Sequence, residues 1–145
     1  MDLLERALAL AASPLFADLA PAVVIRLAER AQATELAAGE RRSTDGTVWV
    51  VADGSLVVAS QQAIASASPT ASLVRRHGGT ATRGHVLGLV RVVAPGTPML
   101  EVIAERPSVV VGLTIDDVRD VLDEDPAALA ALADALSRVL LAEAT

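Results

Sequence analysis

Arg83–Val118, RGHVLGLVRVVAPGTPMLEVIAERPSVVVGLTIDDV, is the stretch whose reading decides the fold of this chain. It reads as a short strand, a glycine-containing turn, an apolar segment, a Pro-Gly loop, two β-rich runs and the start of a capped helix. Gly84 and Gly88 bracket the apolar pair Val86-Leu87. Glycines so placed permit tight turning and close backbone approach. Leu89-Val90-Arg91-Val92-Val93 is rich in β-branched residues, which favour strand over helix. Ser108–Leu113 is the last clear strand.

Working outward from that stretch, the N-terminal side opens with helix signals. Asp2–Ala12 predicts a short amphipathic helix with Leu3, Leu4 and Leu8 on its apolar side and Glu5 and Arg6 on the other. Asp2 is its cap and Ser13-Pro14 its end. Pro14–Leu19 predicts one tight helical turn. Pro21 opens a second helix expected to run through Gln32, with Val24, Leu27, Ala28 and Ala31 on one face and Arg26, Glu29 and Arg30 on another. Ala38-Gly39-Glu40 and Asp53-Gly54 read as turns. Asp45-Gly46 reads as the tip of a short hairpin leading into the strand Val48–Val51. Ser55–Ala59 continues as a strand, Gln61–Ser72 as a long mobile hairpin loop, Leu73–His77 as a returning strand, and Gly78-Gly79 as a turn.

On the C-terminal side Thr114 is the expected cap of a helix, with Asp117 completing a partial capping box. Ile115, Val118, Val121 and Leu122 form its apolar face. Asp125 and Pro126 start a last helix running to about Glu143. Leu129, Leu132, Leu136 and Val139 make a narrow seam along it, flanked by Leu140. The seam has two readings, burial against this chain or pairing with a second copy, and spacing alone gives the same pattern for both.

Composition sets the bounds. The 145 residues fit one domain, and 52% hydrophobic content supplies a sizeable core. One Trp, one Phe and no Tyr leave that core to Val, Leu, Ile and Ala. The chain lacks lysine and asparagine, a pattern that suggests GC-rich bacterial coding. It has no cysteine, which excludes disulfides, zinc thiolates and thiol nucleophiles and is compatible with the cytoplasm. A net charge of −6 argues against a nucleic-acid surface, since phosphate neutralisation needs clustered cations. No long uncharged apolar run predicts a membrane span. The acidic start at Asp2 and Glu5 differs from the basic region that opens a secretory signal.

The order of these elements resembles a cyclic-nucleotide-binding domain, the β-roll of catabolite-activator-type regulators. "S-P-L-F-A-D-L-A-P" at 13–21 is similar to the family's opening "V-P-L-F-x-x-L-S". Ala38-Gly39-Glu40 resembles its P-G-E turn, Val48-Trp49-Val50-Val51 its "L-Y-L-V" strand and Asp53-Gly54 its "S-G" turn. Gly84-His85-Val86-Leu87-Gly88 lies where the family has G-D-x-F-G. The resemblance spans nearly the whole chain in element order. It implies a mainly β, jelly-roll-like roll (33–113) with helices before it (1–32) and after it (114–145), as a single domain.

The same alignment implies altered ligand chemistry. Leu89 falls where the family has a glutamate that accepts from the ribose 2′-hydroxyl. Pro98 or Met99 falls where it has an arginine that pairs with the cyclic phosphate. Leucine has no acceptor for a sugar hydroxyl, and neither proline nor methionine supplies a charge-assisted, directional contact. By resemblance the pocket lining is Val86, Leu87, Gly88, Leu89, Val90, Arg91, Pro98, Met99 and Leu100, with Leu100 and Val102 in the apolar places that follow. Arg91 is the one member able to reach an anion; its other reading is a solvent-facing arginine.

The remaining polar groups have ordinary readings. The acidic run Asp116, Asp117, Asp120, Asp123, Glu124 and Asp125 has no EF-hand spacing and reads as a solvated face. His77 and His85 stand in no metal-ligand or triad spacing and read as surface or strand-edge residues. Arg75-Arg76, with Arg83, reads as a local basic spot. We therefore expect a non-catalytic regulatory or assembly module with no cofactor and no metal. It would bind a protein partner or itself, the last helix serving a homodimer, and neither cAMP nor cGMP. The alternative is a small-molecule sensor of altered specificity anchored by Arg91. An enzyme is not expected, because no nucleophile–base pair, metal cluster or phosphate loop is found. Nor is a transcription factor, whose helix-turn-helix would follow the last helix.

Overall fold

The computed structural model describes residues 1–43, 46–58, 80–88 and 101–144 of the chain, with the side chains of 58 and 139–144 left aside. Helix α1 (Leu3–Ala11) starts where the Asp2 carboxylate accepts from the Glu5 amide at 2.8 Å. Its buried residues are Ala7, Ala9 and Leu10, whereas Leu4 and Leu8 are 67% and 59% exposed. This corrects the expected leucine face. Arg6 explains the rotation: its Nε donates to the Ala28 carbonyl at 3.0 Å, in the last turn of α2 (Pro21–Arg30). That carbonyl belongs to the set a helix end leaves without an internal partner. Satisfying it draws the Arg6 side of α1 onto α2 and turns Leu4 and Leu8 outward.

Pro21 is the first residue of α2, as its fixed φ favours. The helix ends at Arg30, short of the expected Gln32, because Ala31 is already extended at φ −79° and ψ 152°. Gln32 instead opens strand β1 (Gln32–Leu36). Between the two helices, Pro14–Leu19 forms turns held by Phe16 N–H to Ser13 O at 3.1 Å and Ala17 N–H to Ser13 O at 2.9 Å.

Seven further strands are described: β2 (Arg41–Ser43), β3 (Thr47–Asp53), β4 (Ser55–Val58), β5 (Thr80–Thr82), β6 (Val86–Leu87), β7 (Glu101–Ala104) and β8 (Ser108–Thr114). They form two four-stranded sheets with orders β1-β8-β3-β6 and β2-β7-β4-β5, every pairing antiparallel. The expected mainly β roll with helices at both ends is the observed architecture. One local expectation fails. β2 pairs with β7 and β3 with β8, so the chain around Gly46 crosses from one sheet to the other and closes no hairpin. Strand β5, a Thr-Ala-Thr triplet following Gly78-Gly79, was not anticipated. Gln61–Ser72, Leu73–His77 and the Gly78-Gly79 turn lie outside the described residues.

Alternation divides the core in two. Val48, Val50, Val111 and Leu113 face the helices and join Leu10, Phe16, Leu27, Val118 and Leu132 in one cluster. Trp49, Val51 and Val110 face the other way, meeting Leu36, Leu56, Leu87, Val102 and Ala104 between the sheets. Period-two side-chain direction makes one strand serve both layers. The chain passes between sheets at Gly54, where φ is +104°. A β-bulge between Val51 and Asp53 precedes that corner and adds local twist.

Helix α3 (Ile115–Asp123) is capped by Thr114, whose hydroxyl accepts from the Asp117 amide at 3.1 Å. Helix α4 (Pro126–Ala144) is capped by Asp125, which accepts from the Ala128 amide at 3.1 Å. Of the seam residues, Leu132 is buried in this chain's own core and Leu136 packs against it, while Leu129 is 46% exposed. Ala128 and Ala135 complete the buried stripe. Burial within the chain therefore accounts for Leu132, and this part of the seam is closed to a second copy. The Val139 side chain lies outside the described set.

Candidate functional site

The glycine-bracketed stretch is built against β3. Gly84 and Gly88 have φ of +89° and +84°, left-handed values that suit glycine. The Gly84 amide donates to Val51 O at 2.9 Å and the Val51 amide to His85 O at 3.0 Å. Beyond them Val86 and Leu87 pair with Val50 and Trp49. His85 fastens the turn on its other side: its Nδ1 accepts from the Thr82 amide at 2.7 Å. The end of α1 also reaches this turn, since a Cβ on Gly84 would stand 3.1 Å from the Ala12 carbonyl oxygen.

Among the expected pocket residues, Val86 and Leu87 are buried on opposite sides, Val86 beneath the helices and Leu87 between the sheets. A single cavity wall can take only one of two strand neighbours. Leu89, Val90, Arg91, Pro98, Met99 and Leu100 lie outside the described residues. So do His77 and the Arg75-Arg76 pair.

A different concavity is formed by described residues alone. A groove of about 330 Å³ opens at the start of β1 and β3 and the end of β8. Pairing puts Gln32, Gly112 and Trp49 in one cross-strand row and Thr47 opposite Thr114 in the next. Thr34, Arg42, Ser43, Arg30 and Asp117 complete the lining. Along β1, β3 and β8 the side of the sheet that carries Leu36, Val51 and Val110 is thus apolar at one end and polar at this one. Gly112 makes the space: a Cβ there would lie 3.1 Å from Thr47 Cγ2 and 3.4 Å from Trp49 Cδ1. Sequence reasoning missed this groove. Its signal was a polar or glycine residue at each inward position, in Gln32-x-Thr34, Thr47-x-Trp49 and Gly112-x-Thr114, and only the register brings the three together.

Charge at the site is organised in pairs. Arg30 Nη1 stands 3.5 Å from both Asp117 and Asp120, and Arg26 pairs with Glu124. Part of the acidic run thus ties α3 to α2. Arg42 Nε donates to Glu40 at 2.7 Å. The Glu40 carboxyl sits below the usual carboxylate range, first because the Ala37 amide donates to it and then because of Arg42, against an opposing effect of burial. Among the described residues no group of three or more His, Asp or Glu side chains is placed to hold a metal ion. None of the described helices is long and apolar enough to cross a membrane.

Comparison with known proteins defines the class of fold. The N-terminal domain of a transcriptional regulator from Streptomyces coelicolor superposes with a TM-score of 0.63 at 20% identity, over 96% of this chain and 90% of that one. A candidate cyclic-nucleotide-binding protein from Ruegeria pomeroyi gives 0.67 at 16% identity, over 98% of this chain and 61% of its own length. A cyclic-nucleotide-binding-like protein from Brucella abortus gives 0.57 at 17% identity, over 82% and 98%. The fold is therefore the β-roll of cyclic-nucleotide-binding domains. No family model matches the sequence, and no curated protein does.

Proposed function

We propose that the chain is a non-catalytic regulatory or assembly module that keeps the cyclic-nucleotide-binding roll but does not bind cAMP or cGMP. The observation that carries this is the pair of replacements read in the sequence. Leu89 stands in place of a carboxylate acceptor, and Pro98 or Met99 in place of an arginine. An isolated phosphate next to apolar side chains has no compensating charge, and a sugar hydroxyl there has no partner. The solved neighbours support the regulatory half of the reading, one being the N-terminal domain of a transcriptional regulator.

The module acts through its surface, on a protein partner or a second copy. Exposed Leu4 and Leu8 on α1 and Leu129 on α4 are the apolar groups that support a docking role. A cysteine-free chain agrees with a reducing compartment such as the cytoplasm. Thermal unfolding with excess cAMP or cGMP tests the proposal. A ligand at a hundred times its Kd adds about 2.7 kcal/mol to stability, so a micromolar binder would raise Tm by several degrees. We expect no rise; a rise with either nucleotide overturns the reading.

A further inference from the structure

We propose that the groove beside Trp49 is a binding site for a small molecule carrying a carboxylate. It is separate from the residues that the family resemblance assigns to nucleotide binding, so it goes beyond the function proposed above and does not depend on it. Three observations carry it.

Trp49 is only 7% exposed, yet its indole N–H has no hydrogen-bond partner among the described residues. Buried indole N–H groups normally find an acceptor. Its nitrogen lies 3.6 Å from where a Gly112 Cβ would be, on the side that the glycine leaves vacant. The donor therefore faces the groove floor.

The rim supplies the second donor set. Arg42 gives only its Nε to Glu40. Its two Nη groups have no partner among the described residues. A guanidinium with free Nη groups matches the two oxygens of a carboxylate. Arg30 and Arg42 against Asp117 leave the lining one positive charge in excess. That suits a single negative charge better than a doubly charged phosphate, which would also face Asp117 and nearby Glu40.

Size is the third observation. About 330 Å³ lies at the small end of the range for ligand pockets. The hydroxyls of Thr34, Ser43 and Thr114 and the Gln32 amide line the rest, so the body of the ligand carries polar groups as well.

Trp49 is the only tryptophan, so one indole N–H resonance reports on the site. The full chain, labelled with nitrogen-15, is titrated separately with benzoate, 4-hydroxybenzoate, 2-oxoglutarate, inorganic phosphate and cAMP. We expect a saturable downfield move of the indole proton with at least one carboxylate, as a new acceptor reaches it. Arg42→Gln, an exposed edge-strand change whose remaining spectrum reports that it folds, weakens that binding by about tenfold or more. No saturable move with any of the three carboxylates overturns the proposal. So does a move that Arg42→Gln leaves unchanged, or one that phosphate produces at equal concentration. A move with cAMP alone overturns the function proposed above and this site together; a move with a carboxylate and not cAMP supports both.

Discussion

Gly54 rests directly on Ser108. A Cβ on Gly54 would stand 2.5 Å from Ser108 Cβ and 2.7 Å from its Cα. The Ser108 hydroxyl accepts from the Ser55 amide at 3.1 Å and donates to Arg106 O at 2.8 Å. The Ser55 hydroxyl donates to Glu105 at 2.6 Å. The corner where the chain leaves one sheet for the other is thus stapled to the turn before β8. Gly54→Ala adds both a left-handed strain at φ +104° and a backbone overlap. We expect a loss of roughly 2–6 kcal/mol in urea unfolding. Adding Ser108→Gly relieves only the Cβ part, so it should restore only a fraction of that loss.

Helix α1 gives a sharp contrast between leucines. Leu4→Gln and Leu8→Gln remove exposed side chains and should change unfolding free energy by no more than about 0.5 kcal/mol. Leu10→Ala empties a fully buried site and should cost about 2–5 kcal/mol. Equal losses at Leu8 and Leu10 would restore the leucine face expected from the sequence.

The last helix has a matching test. Leu132→Ala should cost about 2–5 kcal/mol whatever the protein concentration, because its contacts lie within one chain. Leu129→Ala should leave stability of the isolated chain nearly unchanged. A concentration-dependent Tm that Leu129→Ala abolishes would identify that exposed residue as part of a self-association face.

Glu40 sets a pH dependence. Its folded pKa lies below the ordinary value of 4.5, so the unfolded chain binds a proton more readily than the folded one. The stabilisation is therefore complete above the unfolded pKa and disappears as pH falls through the folded one. In Glu40→Gln the acid side of the stability curve should be shallower below about pH 4.5, with no change in slope near neutrality. Guanidine unfolding across pH 2 to 7 reads both limbs.

The roll itself was legible because local signals agreed with one another. Asp2, Thr114 and Asp125 stood where caps belong, and each accepts the expected amide. Gly84 and Gly88 marked the short pair between them as β6. What stayed hidden depended on partners distant in sequence. Which side of α1 is buried follows from Arg6 reaching Ala28, 22 residues away. The path around Gly46 follows from β2 choosing β7, and no turn dipeptide encodes that choice. The groove appears only when Gln32, Trp49 and Gly112 are set in one row. For the seam, spacing on α4 did not separate Leu132 from Leu129; the neighbouring elements did.

Isothermal titration of the full chain with cAMP and with cGMP tests the central claim most directly. With Leu89 and Pro98-Met99 in place of an acceptor and a guanidinium, the account predicts no saturable heat through the micromolar range. A one-to-one isotherm with a micromolar or tighter Kd for either nucleotide would contradict it.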